Sequence, residues 1–205
     1  MAILETKETR ADGIKPISPC CYARRQWLLR AFGAAVLGVV PAATAAAPSP
    51  AKLPPLIGDE LAFPSWENDG RLVHATDVPL DGSPLVVYPR DPVSGVVREK
   101  SRMNQILLLR VDPTALDKIS QRHAAKDIIA YSGICTHAAC AVSEWKPDTG
   151  HLICPCHGSE FAVTQHAKVM TGPAPRPLPA LPIAQHAQHF VVSGKFSGKI
   201  GIKSP

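Results

Sequence analysis

Two short stretches, Cys135-Thr136-His137-Ala138-Ala139-Cys140 and Cys154-Pro155-Cys156-His157-Gly158-Ser159, hold four of the six cysteines and two of the eight histidines of the chain. Each follows an apolar run that reads as a strand, residues 128–131 before the first and 151–153 before the second. Sixteen residues separate His137 from Cys154. Cysteine and histidine at such short spacings suit a metal centre, tetrahedral zinc included.

Working outward, further apolar or alternating runs occur at 85–88, 106–111, 181–184 and 190–192, each bounded by Pro, Gly, Asp or Ser, and these predict short strands. Proline contributes 21 of 205 residues, roughly double the usual share of about 5%. Each proline removes a backbone donor, so long helices are disfavoured and turn-rich β structure is expected. One helix is predicted over 113–125, where Leu116, Ile119 and Ser120 recur at helical spacing and Pro113 can occupy a first turn. Residues 90–105 read as a polar hairpin or insertion, and no internal repeat is present. The length allows one ordinary domain with appendages and excludes a pair of catalytic domains. The net charge of +5 is modest and unclustered, which gives no support to nucleic-acid binding. Residues 1–47 carry six Lys or Arg against three Asp or Glu, and the remaining 16 against 14 leave the rest of the chain near neutral.

Part of the basic excess sits in an N-terminal leader. Arg24 and Arg25 stand before Gln26-Trp27-Leu28-Leu29, which resembles a twin-arginine export signal with Trp where Phe is commoner. The apolar stretch 31–47 ends in small residues that offer cleavage sites at Ala43-Thr44-Ala45 and Ala45-Ala46-Ala47. Its 17 residues include Pro41 and eight alanines, short of the roughly 20 strongly apolar residues of a spanning helix. A signal peptide is therefore expected over 1–47, with an uncleaved inner-membrane anchor as the alternative, and Cys20 and Cys21 lie upstream on its cytoplasmic side. Residues 48–57 hold four prolines and predict an extended linker, so the domain is expected over 58–205.

A C-x-H loop, sixteen residues and then C-x-x-H resembles the pattern of Rieske [2Fe-2S] proteins, and the resemblance covers roughly residues 84–192. It implies an all-β fold, an antiparallel β-sandwich with a small cluster-binding subdomain at about 132–178. It also implies one [2Fe-2S] cluster, with Cys135 and Cys154 on one iron and His137 and His157 on the other. Two ferric ions and two sulfides sum to +2, and two thiolates bring the oxidised centre to zero, whereas four thiolates would leave a dianion that resists an electron. Cys140 and Cys156, one per loop, would pair as the disulfide of the family's disulfide-containing branch, in keeping with export. Ser159 matches a serine that donates towards a bridging sulfide, and 170–175 (Met-Thr-Gly-Pro-Ala-Pro) resembles a proline loop that covers the cluster. Phe161 departs from the tyrosine of many high-potential relatives and supplies no donor. His74, His123, His151, His166, His186 and His189 lack ligand spacing, and Trp145 reads as a packing residue. Structural zinc fits less well, because no C-x-x-C knuckle is present and the bridge accounts for the extra cysteines.

The resemblance implies electron transfer rather than self-contained catalysis. One expectation is a periplasmic subunit similar to the small Rieske subunit of arsenite-oxidase-type molybdenum enzymes, passing electrons from that partner to a cytochrome or cupredoxin. The alternative is the Rieske subunit of a cytochrome bc complex, with cytochrome b and c as partners and His157 meeting quinol. A self-contained oxygenase needs a second iron domain, for which the chain is too short.

Overall fold

The computed structural model describes residues 49–202. The export leader expected at 1–47, with Cys20 and Cys21, lies outside the described residues. Every ladder between the named strands is antiparallel, and the two α-helices among the described residues are one turn each, Ser65–Asn68 and Lys118–Gln121. The all-β expectation therefore holds.

The strands are β1 (Glu60–Ala62), β2 (Leu85–Arg90), β3 (Ile106–Arg110), β4 (Ile128–Ser132), β5 (Glu144–Lys146), β6 (His151–Cys154), β7 (Ser159–Ala162), β8 (Lys168–Thr171), β9 (Ile183–His186) and β10 (His189–Val192). Six form one sheet in the order β4-β3-β2-β1-β10-β9, and β5-β6-β7-β8 form a second that is inserted between β4 and β9. Strands β3 and β4 are continuous apolar runs because both of their faces are buried. Ile106, Leu108, Ile128 and Ala130 face a core filled by Leu61, Val87, Ile183, Phe190 and Val192, to which all six strands of the larger sheet contribute. Leu107, Leu109, Ile129 and Tyr131 face the other way, against Leu152 and Phe161 of the inserted sheet and against Cys135 and Cys154. The alternation of β3 and β4 thus separates a structural core from the core beneath the two cysteine loops.

Tyr131 links the two parts. Its hydroxyl donates to the Val163 carbonyl at 2.7 Å, just beyond β7, and burial pushes its pKa above the ordinary tyrosine range.

Two expectations are corrected. The helix predicted over 113–125 reduces to Lys118–Gln121. Asp112 folds its carboxylate onto the Thr114 amide and hydroxyl, taking up the first residues in a turn, and Asp117 then caps the single helical turn by accepting from the Ser120 amide at 2.7 Å. The chain next turns through Lys126, at φ 59°, into β4.

The stretch 48–57 was expected to be an extended linker, yet from Pro50 it is fastened to the domain. Pro50–Lys52 form a 3-10 turn with Ala51 buried, and Asn104 Nδ2 donates to the Leu53 carbonyl at 2.7 Å. Arg98, only 1% exposed, gives Nε and Nη2 to Asp59 at 2.8 and 3.0 Å, Nη2 to Asp91 at 3.2 Å and Nη1 to the Pro50 carbonyl at 3.1 Å. A guanidinium removed from water needs acceptors around its whole rim, and folding the proline stretch back supplies one of them.

Candidate metal centre

Both cysteine loops emerge from strand ends of the fold. The first leaves β4 and closes on itself: the Cys135 amide donates to the Cys140 carbonyl at 2.8 Å, and Ala139, at φ 56°, donates back to the Cys135 carbonyl at 3.1 Å. Arg102 donates to the Ala139 carbonyl and fixes the turn from outside. The second loop joins β6 to β7, with Gly158 at φ 67° donating to the Cys154 carbonyl at 3.0 Å. Cys140 and Cys156 are joined by a disulfide across Cα atoms 6.5 Å apart, so the two loops are held face to face.

The other two cysteines among the described residues, Cys135 and Cys154, are free, buried and adjacent. Cys154 Sγ lies within 4.8 Å of both disulfide sulfurs, which are already bonded to each other and hold no lone thiolate for a metal. His137 and His157 stand with ring centroids 4.7 Å apart at 88°. His137 is half-buried, with Nδ1 enclosed and without a hydrogen-bond partner, whereas His157 is exposed. Burial pushes the Cys135 thiol above the usual cysteine range; the amides of His137 and Ala138 aimed at its sulfur act against this, and the neighbouring Cys154 adds to it. Two thiols in an apolar pocket become thiolates only beside a cation, and an enclosed imidazole nitrogen without a partner is free to bind one. The donor set of two sulfurs and two imidazoles, all converging at one end of the fold, fits a [2Fe-2S] centre.

Around these residues, Ser159 is fully buried, and its hydroxyl accepts from the Ala174 amide at 3.1 Å, leaving its own hydrogen to donate elsewhere. Phe161 is fully buried in the same core as Cys135 and Cys154. Two further residues escaped the sequence reading. Thr136 donates to the Arg176 carbonyl at 2.6 Å and so ties the first loop to the chain leaving the proline loop. Gly172 sits at φ 88°, where an added Cβ would come within 2.5 Å of Ser159 Cα, so only glycine lets the proline loop lie against the second loop. The Gly-Pro pair at 172–173 is the sequence signal of that turn.

The family model for the Rieske [2Fe-2S] domain matches residues 72–182, more than half of the chain. This chain belongs to the Rieske [2Fe-2S] family. It is 31% identical over 160 residues to the cytochrome bc1 complex Rieske iron-sulfur subunit of Streptomyces lividans, an alignment that covers 73% of this chain and 94% of that one. A Haloferax mediterranei protein, named as a respiratory nitrate reductase subunit Rieske, is 32% identical over 122 residues, covering 59% of this chain and 52% of its own length. The Streptomyces coelicolor bc1 Rieske subunit is matched over only 45% of its length. Among solved structures, the plasma membrane Rieske protein of Synechocystis PCC 6803 aligns with a TM-score of 0.39 at 25% identity, over 60% of this chain and 97% of that one. As a Rieske protein the chain takes a [2Fe-2S] cluster and transfers electrons.

Proposed function

We propose that Cys135 and Cys154 hold one iron and His137 and His157 the other, and that the chain is the exported redox subunit of a respiratory oxidoreductase outside the cytoplasm. The observation that carries the ligand assignment is the pair of free, buried cysteines beside a half-buried imidazole whose Nδ1 has no partner. The bound cluster supplies one-electron chemistry at a potential raised by its two neutral ligands, in the range of about −150 to +300 mV. The chain's own residues shape access to it. His157 is exposed and meets the electron partner, while the disulfide and the Gly172 turn hold the loops that surround it. The twin-arginine leader at 1–47 and the disulfide both suit a periplasmic location, and export by that route carries a cluster assembled before translocation.

The partner in this proposal is the large subunit of a molybdenum oxidoreductase, with a cytochrome or cupredoxin as acceptor. The stretch that resembles a twin-arginine leader and Phe161 in place of a tyrosine favour this reading. The Rieske subunit of a cytochrome bc complex is the second reading, favoured by the names of relatives such as the Streptomyces lividans subunit. Isolating the tagged chain from its host in mild detergent separates the two: co-purifying molybdenum is expected, and stoichiometric b-type haem instead would establish the second reading.

Phe161 tunes the centre by what it lacks. In Phe161→Tyr, a hydroxyl reaching a ligand sulfur stabilises the more negative reduced state; a bond worth about 1.4 kcal/mol raises the potential by roughly 60 mV for one electron. Voltammetry of the two proteins at one pH measures this, and an unchanged or lower potential with the cluster intact means that the added hydroxyl does not reach the sulfur.

A further inference from the structure

Away from the cysteine loops, the larger sheet sets three histidines in one row. Strands β9 and β10 are joined by the turn Ala187-Gln188, with Ala187 at φ 54°, and His186 and His189 pair directly across the ladder. On the other edge of β10, His74 is bridged to His189, and the Ala75 amide donates to the Gln188 carbonyl at 3.1 Å. Directly opposed residues project from the same face of a sheet with Cβ atoms about 4.5–5.5 Å apart, so the three imidazoles stand side by side. Glu60 of β1 is paired with Val191, two residues along from His189, and therefore shares that face. Spacing along the chain does not reveal this row, because strand register creates it.

The His186 and His189 rings have centroids 5.3 Å apart, and His189 Nε2 lies 3.6 Å from Glu60 Oε1. That separation is too long for a hydrogen bond. It is close to the distance of about 3.3–3.4 Å between two ligand atoms that each stand about 2.0–2.1 Å from a tetrahedral zinc ion. Arg90 takes the other carboxylate oxygen, Oε2, at 2.6 Å and leaves Oε1 available. Beside His74, Asp77 is paired with Arg71 at 2.9 Å, so carboxylates and guanidinium groups balance around the row and the neutral imidazoles set its affinity. His186 is exposed and gives an ion a way in, while the side chains of His189 and Glu60 are largely shielded.

We propose that His74, His186, His189 and Glu60 form a second metal site, one that takes a divalent transition ion of the zinc class and staples the β9–β10 hairpin to β1 and to the segment before Ala75. Three donor atoms already within 4.8 Å of one another occur, among the described residues, only at the cysteine loops. The histidines therefore reach a common ion by rotating about their side-chain bonds, which rings on adjacent strands do without moving the backbone. None of the four residues belongs to either cysteine loop, so the site stands independently of the cluster ligands.

The test is calorimetric titration of the full chain, carrying its cluster and first freed of loose metal by a chelator, with zinc chloride at neutral pH and magnesium chloride as the control. Saturable binding of one zinc per chain is expected, weakened about tenfold or more in His186→Gln and in His189→Gln, since each removes a ligand. Glu60→Gln weakens it as well but also breaks the Arg90 pair, so His186→Gln, at an exposed position, decides the matter if that variant is unstable. His151→Gln, outside the row, binds zinc as the unaltered chain does. Zinc also raises the Tm of the unaltered chain and not that of His186→Gln, because an ion that binds only the folded state stabilises it. Heat no greater than that of magnesium, undiminished binding in both His186→Gln and His189→Gln, or an equal loss in His151→Gln overturns the proposal. Iron and sulfide are assayed on the same samples after titration. Zinc uptake matched by loss of iron places the ion at the cysteine loops and overturns the site, and a fully loaded protein that binds no zinc refutes this site alone while leaving the cluster ligands untouched.

Discussion

Cys154→Ala and Cys135→Ala are expected to yield protein with no bound cluster, and His137→Ala and His157→Ala to do the same. The loss is complete because no substitute donor stands near. Cys140 and Cys156 are consumed by their disulfide, and five of the six other histidines make contacts of their own: His123 packs against His166, His186 against His189, and His151 meets Glu160 at 2.8 Å. Iron analysis and the visible spectrum of each purified variant check this, with His189→Ala as a control that retains its cluster. A full iron content in any of the four would remove that residue from the ligand set.

Asp59→Ala is expected to cost about 3–5 kcal/mol of stability, the usual penalty for stripping one partner from a buried ion pair. Arg98 is 1% exposed and takes both of its bonds of 3.0 Å or less from Asp59; Asp91 and the Pro50 carbonyl remain but cannot replace a bidentate carboxylate. The loss also frees Leu56, whose amide donates to Asp59 at 2.8 Å, so the 50–59 strap loosens with it. Thermal unfolding measures the drop, and proteolysis near residue 52 reports the strap. Wild-type stability in Asp59→Ala would show that the strap is peripheral. Replacing the pair together, as Arg98→Met with Asp59→Leu, should cost less than Asp59→Ala, since no unpaired charge is left behind.

The Rieske family was legible because its two loops are written in residue type and spacing, and β2, β3, β4, β6, β9 and β10 because their apolar runs exceed what a surface loop carries. Strands β1, β5, β7 and β8 were not. Each has three or four residues, and β7 starts at Ser159 inside the ligand motif, where chemistry masks the alternation. The prolines at 48–57 suggested free chain because local composition carries no sign of Arg98, which lies 48 residues from Pro50 and becomes a buried anchor only in the tertiary fold. Thr136 and Gly172 were invisible for the same reason: their partners, the Arg176 carbonyl and the Ser159 backbone, are distant in sequence. The disulfide was an implication of the family resemblance, and the structure forms it.

The central claim is tested most directly by measuring iron, acid-labile sulfide and zinc together on the purified chain, followed by electron paramagnetic resonance after reduction. The account predicts about two iron and two sulfide per chain and a rhombic signal from a centre with two thiolate and two imidazole ligands. Stoichiometric zinc without sulfide, and no signal on reduction, would contradict it.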